Sequence, residues 1–202
     1  MLRFTLNDGT PVGLRPIVPA DRDRLLHGFE ALSDESRRFR FLGSLSALHE
    51  DQLRYLTEVD HRDHVAWGAL SLEDPEAPGF GIARFIRLSE HPHLAEFSLT
   101  VIDTAQGHGL GGLLLATLYV LAPTVGIDTL RGVVARDNDR MTTWMHRLGA
   151  VVVADDPGEL VFDLPVHTDL DELPASSVSF RTLVEQVRQQ FASGADQPQN
   201  ET

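Results

Sequence analysis

Four glycines fall within six residues in the run Gln106-Gly-His-Gly-Leu-Gly-Gly-Leu-Leu-Leu115, where an alternating segment gives way to a continuous apolar one. Inside a helix each glycine costs about 1 kcal/mol relative to alanine. A cluster of them where a helix should begin marks a place where the backbone must come very close to something. A glycine-rich turn that opens a helix presents unpaired N–H groups and the positive end of the helix dipole. The natural ligand of such a turn is a phosphate or pyrophosphate.

The charge balance limits how that ligand is held. Seventeen basic residues against thirty acidic ones leave a formal net charge of −13 over 202 residues. A surface of that sign repels nucleic acid and attracts a basic partner or cationic substrate. A phosphate must then rest on local backbone donors and a few basic side chains. The 42% hydrophobic and 23% charged residues suit one globular domain with a real core. The chain has no cysteine, which excludes disulfides, thiolate nucleophiles and cysteine–zinc sites. No apolar run approaches the roughly 20 residues of a membrane span, and the first residues lack the apolar core of a signal peptide. The expected setting is the cytoplasm, with no membrane and no nucleic-acid partner.

The pattern along the chain predicts a mixed α/β (α+β) fold. Asn7-Asp-Gly9 reads as a hairpin turn leading into a strand over Pro11–Ile17. A helix follows from Asp21 with Leu25, Leu26, Phe29 and Leu32 on one face. Ser33 caps a short second helix with Phe39, Phe41 and Leu42, and Ser46 caps a third with Leu48, Leu53, Tyr55 and Leu56. Strands are expected over Val65–Leu72 and Gly81–Leu88, with a loop over Glu73–Gly79 between them. After a turn at Glu90–His93, a third strand runs over Ala95–Ile102, where Phe97, Leu99 and Val101 alternate with Glu96, Ser98 and Thr100. The glycine run then opens a helix with Leu110, Leu113, Leu114, Leu118 and Leu121 on one face. A strand over Leu130–Ala135, a helix over Asn138–Leu148 ended by Gly149, and strands at Val151–Val153 and Leu160–Phe162 complete a domain over residues 1–165. Residues 166–192 form an extension: an acidic loop, then a helix over Phe180–Phe191 using Leu183, Val184 and Val187. The polar tail from Ser193 to Thr202 is expected to be disordered.

Three phosphate-binding readings compete for the glycine run. A Walker loop needs a lysine after its glycines, and none is present. Gly107-x-Gly109-x-x-Gly112 formally matches the dinucleotide fingerprint, but several elements precede it, its strand alternates, and the acidic residue Asp128 lies before the next strand instead of at its end. The third reading is coenzyme A. Gln106-Gly-His-Gly-Leu-Gly111 resembles the Gln/Arg-x-x-Gly-x-Gly/Ala loop of the GNAT superfamily of N-acetyltransferases. The order of elements fits that fold, and Asn138 to Gly149 resembles the family's helix ending in Leu-Gly. The resemblance covers about Val12 to Leu164. It implies a single GNAT domain, a mixed and mostly antiparallel sheet flanked by helices, with acetyl-CoA as acyl donor. It further implies that the backbone of Gln106, Gly107, His108, Gly109, Leu110, Gly111 and Gly112 takes the pyrophosphate, that Thr100 and Val101 pair with the pantetheine arm like an added strand, and that Asn138 and Met141 line its other side. Two simpler roles stand beside these. Gly111 and Gly112 would also permit close helix–sheet packing, and Asn138 would serve as a plain helix N-cap.

A narrower resemblance selects a subgroup. Leu32-Ser-Asp-Glu-Ser-Arg-Arg-Phe-Arg-Phe41, Val59-Asp-His-Arg-Asp-His-Val65 and Ala95-Glu-Phe97 resemble the catalytic domain of Pat-type bacterial protein lysine acetyltransferases. That resemblance places the catalytic glutamate at Glu96, on the polar face of the strand leading into the glycine loop. A lysine amine with a pKa of about 10.4 needs about 4.6 kcal/mol to deprotonate at pH 7, so a general base is valuable. Partial burial would be needed to raise a glutamate toward that task. The simpler alternative is an edge carboxylate paired with Arg84 or Arg87. The tyrosine with which many GNAT enzymes protonate the leaving thiolate is replaced here by Met145, as in Pat-type domains, and Trp144 reads as packing. His61, His64, His91 and His93 have spacings easily met by chance among nine histidines, so no metal site is expected.

The expectation is an acetyl-CoA-dependent N-acetyltransferase. Its acceptor is an amine, a protein lysine or else a small molecule such as a polyamine or amino acid. A non-catalytic acyl-CoA sensor is the alternative of a different class. The oligomeric state, including a homodimer, is left open.

Overall fold

The computed structural model describes residues 1–43, 45–74 and 77–195. Eight strands form one sheet in the order β1-β2-β3-β4-β5-β6-β8-β7. They are β1 (Leu2–Thr5), β2 (Pro11–Pro16), β3 (His64–Ser71), β4 (Gly81–Leu88), β5 (His91–Val101), β6 (Thr129–Ala135), β7 (Val151–Asp155) and β8 (Glu159–Pro165). Every neighbouring pair is antiparallel except β5 and β6. A parallel pair needs a crossover, and helix α4 (Leu110–Leu121) supplies it. The other helices are α1 (Arg22–Glu30), α2 (Asp34–Phe41), α3 (Glu50–Thr57), α5 (Asp139–Leu148) and α6 (Val178–Ala195).

Local chemistry accounts for most boundaries. Gly9 takes φ +92° in the β1–β2 turn, where Leu6 N–H donates to Thr10 O at 2.9 Å. Ser33 caps α2 by accepting from Ser36 N–H at 3.2 Å. Several boundaries differ from expectation. Helix α3 starts at Glu50 with His49, not Ser46, before its first turn. The Gln52 side chain accepts His49 N–H at 2.9 Å, and the preceding segment stays irregular so that Leu48 can enter the core. Strand β5 begins at His91, because the β4–β5 turn is made by Ser89 and Glu90. Helix α6 continues to Ala195, past the point where a polar tail was expected, and positions 196–202 lie outside the described residues.

Helix α4 is buried almost all round and not only on one stripe: Leu110, Leu113, Leu114, Leu115, Ala116, Leu118 and Tyr119 are all core residues. A helix apolar on every side needs cover on every side. The sheet covers one side, and α6 lies on the other. Leu183 of α6 packs where a Cβ on Gly112 would come within 2.9 Å, and Phe180 meets Tyr119 edge-on with centroids 5.3 Å apart. The glycine pair was expected to permit close packing on the sheet. Gly112 permits it instead on α6, and Gly111 has only ordinary contact with Leu99.

One feature of the sheet positions everything that follows. Strands β5 and β6 pair only through Leu94–Thr129, Ala95–Leu130 and Glu96–Arg131. Beyond Glu96 both strands continue, but apart from each other. At the fork the buried Phe97 ring lies over Gly132, where a Cβ would sit 2.7 Å from Cε1. Gly132→Ala is therefore expected to destabilise the protein by about 1–3 kcal/mol through overpacking, measured by urea unfolding, and Phe97→Leu in the same chain to recover part of the loss.

Candidate active site

The edge of β5 that faces away from β4 has no strand beside it from Phe97 to Val101. Val101 turns its backbone to this free edge, since the N–H of the next residue, Ile102, donates to Phe80 O at 2.9 Å on the β4 side, whereas Thr100, one position earlier, turns its own toward β4; the glycine run stands at the open end of the edge. A single turn over Asp103–Ala105 leads to Gln106 in extended conformation, and Gly107 and Gly109 follow at φ +85° and +92°. Only glycine adopts such angles without strain. The hairpin turn between β1 and β2 braces the loop from outside. Asn7 N–H donates to His108 O at 3.0 Å, the Asn7 side chain packs against Gly109, and His108 Nδ1 lies 3.5 Å from Asp8. The N–H groups of Gly107, His108 and Gly109 donate to no acceptor among the described residues. The first bond back into the helix is Leu113 N–H to Gly109 O at 3.1 Å. The N–H groups of Leu110, Gly111 and Gly112 are thus first-turn donors without an intrahelical partner.

Gln106 uses its side chain to tie the loop down. Its Nε2 donates to Val101 O at 3.1 Å and to Ser36 Oγ at 3.2 Å, and Arg140 Nη1 approaches its Oε1 at 3.5 Å. Across the opening, Asn138 caps α5 by accepting Met141 N–H at 3.1 Å. Its carbonyl oxygen is thereby used in the simpler of the two roles the sequence allowed. Met141 and Trp144 are partly buried against the core, and Met145 is fully buried.

Helix α2 bridges the two sides of the fork. Asp103, just past β5, accepts from Ser33 N–H at 2.8 Å, Ser33 Oγ at 2.8 Å and Ser36 Oγ at 2.9 Å. Asp137, just past β6, pairs with Arg38 at 2.9 Å. Neither acidic residue stood out in the sequence. The Ser33-to-Phe41 segment did, and it is the helix that both of them hold.

Glu96 sits at the base of the fork. Strand alternation puts it on the same face as Ser98 and Thr100, and its side chain is exposed rather than partly buried as expected. It is exposed although Ile86 of β4 and Arg131 of β6 stand beside it in the sheet. The alternative pairing with Arg84 or Arg87 is absent. Arg87 bonds Asp63 at 2.7 Å and Val125 O at 2.6 Å. Arg84 bonds His64 Nε2 at 3.0 Å and Leu56 O at 3.1 Å. Glu96 has no hydrogen bond or ion pair among the described residues. The guanidinium groups that feel its charge are Arg40 of α2 and Arg131 of β6, the latter forked onto Asp163 with both bonds at 2.8 Å. Of the four histidines singled out in the sequence, His64 is buried in this network and the others are exposed.

The Asp103 latch is electrostatic. Burial works to raise the Asp103 carboxyl but is outweighed by the Ser33 N–H and the two serine hydroxyls, so it titrates below its ordinary 3.8. A depressed carboxyl contributes stability that is present above the unfolded value of 3.8 and is lost as pH falls through the still lower folded value. Asp103→Asn is expected to cost about 1 kcal/mol at neutral pH, discounted for exposure. In urea unfolding at a series of pH values, the difference from wild type should shrink below about pH 4.

Comparison with known proteins agrees with this arrangement. The model of the acetyltransferase (GNAT) domain matches residues 12–151. Acetyltransferase Pat of Mycolicibacterium smegmatis is 37% identical over 176 residues, which are 87% of this chain and 50% of that protein, so the chain spans about half the length of that relative. An acetyltransferase of Pseudomonas aeruginosa is 32% identical over 147 residues, 73% of this chain and 78% of that protein. Among solved structures, the GNAT domain of S. lividans PAT superposes with a TM-score of 0.74 at 24% identity, covering 81% of this chain and 95% of that one. The cAMP-binding acyltransferase of Mycobacterium smegmatis superposes with a TM-score of 0.58 at 28% identity, covering 97% of this chain and 56% of that one. The chain belongs to the GNAT acetyltransferase domain family.

Proposed function

We propose that this domain transfers an acetyl group from acetyl-CoA to a primary amine, with Glu96 as general base. The observation that carries the reading is the fork between β5 and β6, with free loop N–H groups at its open end and a carboxylate at its base. The pyrophosphate rests on the N–H groups of residues 107–112 at the start of α4. Val101 offers its backbone to the pantetheine arm as a strand offers itself to a neighbour, with Thr100 beside it, and Asn138 and Met141 flank the arm from α5. Backbone N–H groups of β5 polarise the thioester carbonyl. Glu96 accepts the proton that the amine gives up, directly or through water, and Met145 leaves the departing thiolate to take its proton from solvent.

The Pat-type resemblance supports a protein lysine as acceptor, and the acidic surface suits basic partners of any size. A non-catalytic acyl-CoA sensor would use the same loop and would have no use for Glu96. Glu96→Gln is therefore expected to lower kcat by roughly a hundredfold to ten-thousandfold while leaving the KM for acetyl-CoA near its wild-type value. The limb of the pH profile on which activity rises as the base loses its proton should vanish with it. Turnover that survives with an unchanged pH profile contradicts the base assignment.

A further inference from the structure

Between helices α1–α3 and the face of the sheet that carries Glu96 lies a small cleft of about 80 Å³. Its walls are mostly apolar, with Leu25, Phe29, Phe41, Leu56 and Ile82 among them. Three cations, Arg24, Arg40 and Arg84, interrupt that lining, and Arg24 is engaged, donating from Nη1 to Ala77 O at 3.1 Å. Arg84 is 3% exposed. Its Nη1 is used on Leu56 O and His64 Nε2, and neither acceptor is charged. Burial, then the Arg84 charge itself, pushes His64 down to about 4, so the ring is neutral at pH 7. Arg84 has only donors, so Nε2 accepts and the ring proton sits on Nδ1. The Nε and Nη2 groups of Arg84 have no hydrogen-bond partner among the described residues. Burial, then the like charge of Arg40, pulls Arg84 down to about 9.

Arg40, the second cation, is half-buried and makes no ion pair among the described residues. Its guanidinium overlies the ring of its own neighbour Phe41 at 4.9 Å. Asp21, also on the cleft wall, is already taken by a fork from Arg15. Buried charges in proteins are normally paired, and here the guanidinium groups of Arg84 and Arg40 have no carboxylate bonded to either among the described residues, the charge that reaches Arg40 being that of Glu96.

Resting on the acetyltransferase reading above, we propose that the cleft holds the acceptor, and that the acceptor is a primary amine on an apolar body that also carries a carboxylate. The carboxylate seats on Arg84 and Arg40, and the apolar body fills the space between α1 and the sheet. Arg84 lies directly opposite Ser98, two residues along β5 from Glu96, so the two side chains rise from one face of the sheet at positions about 7 Å apart along the strand direction. Separate seats on one face suit an acceptor with its amine and its acid at opposite ends of a ring or a short chain. In the transfer, the amine nitrogen forms the new C–N bond and its proton passes to Glu96. The thioester C–S bond breaks, and sulfur leaves as thiolate with the electron pair.

The test uses the full chain in two steps. Calorimetry without acetyl-CoA compares para-methylbenzoate with para-methylbenzamide, which has the same shape and no charge. Initial rates with acetyl-CoA then compare para-(aminomethyl)benzoate with benzylamine. The acid is expected to bind at least about tenfold more tightly than the amide, and kcat/KM to favour the carboxylated amine by a similar factor. Arg40→Gln should erase both preferences. Arg84→Gln should do so as well, and if that buried substitution fails to fold, the wild-type ligand pair and the Arg40 variant still decide. Equal binding of acid and amide, or binding of neither, overturns the proposal while acetylation of benzylamine leaves acetyl transfer intact. Binding of the acid with no acetylation of any amine overturns the acceptor assignment together with the reading it rests on.

Discussion

Strands β5 and β6 hold together for three residue pairs and then separate, and the rest of the molecule is arranged around that parting. A sheet that stayed paired would satisfy the backbone of Phe97–Val101 internally and leave no edge in its interior. The ring of Phe97 over Gly132 occupies the place of the next pair. The unpaired stretch faces an opening whose mouth is the glycine loop and whose base is Glu96. Donors at one end and a carboxylate at the other suit a long, phosphate-ended acyl carrier.

An opening in a sheet must be kept from closing or widening. Helix α2 does this by holding Asp103 beyond one strand and Asp137 beyond the other. On the opposite face, the apolar bulk of α4 is covered by α6, which fixes the helix whose first turn offers the N–H groups. The hairpin turn at Asn7–Asp8 reaches across to the loop backbone at His108. Three segments distant in sequence thus set one loop in place, which is how a glycine-rich turn becomes a preorganised site instead of a flexible one.

Features decided by local chemistry were legible in the sequence, and those decided by pairing between distant segments were not. The positive φ angles at Gly9, Gly107, Gly109 and Gly149 follow from residue type and position in a turn. The Ser33 and Asn138 caps follow from side chains that compete for backbone N–H groups, and strand alternation placed Glu96, Ser98 and Thr100 on one face. The fork escaped notice because nothing in β5 or β6 alone says where their pairing stops; a glycine facing a phenylalanine is visible only once the register is known. The full burial of α4 depends on α6, some seventy residues away. The exposure of Glu96 depends on which elements cover that face of the sheet. The convergence of Arg40 and Arg84 needs α2 to fold back over the sheet, and the sequence offers Arg84 only as a partner for Glu96.

The most direct test is hydrogen exchange of the backbone amides with and without acetyl-CoA. Protection should rise at residues 107–112 and along the free edge of β5 at Val101, with dephospho-coenzyme A giving the same pattern because it retains the pyrophosphate. Absence of any change at the glycine loop at saturating coenzyme, or protection confined to another face of the sheet, would contradict the assignment of this fork as the acyl-donor site.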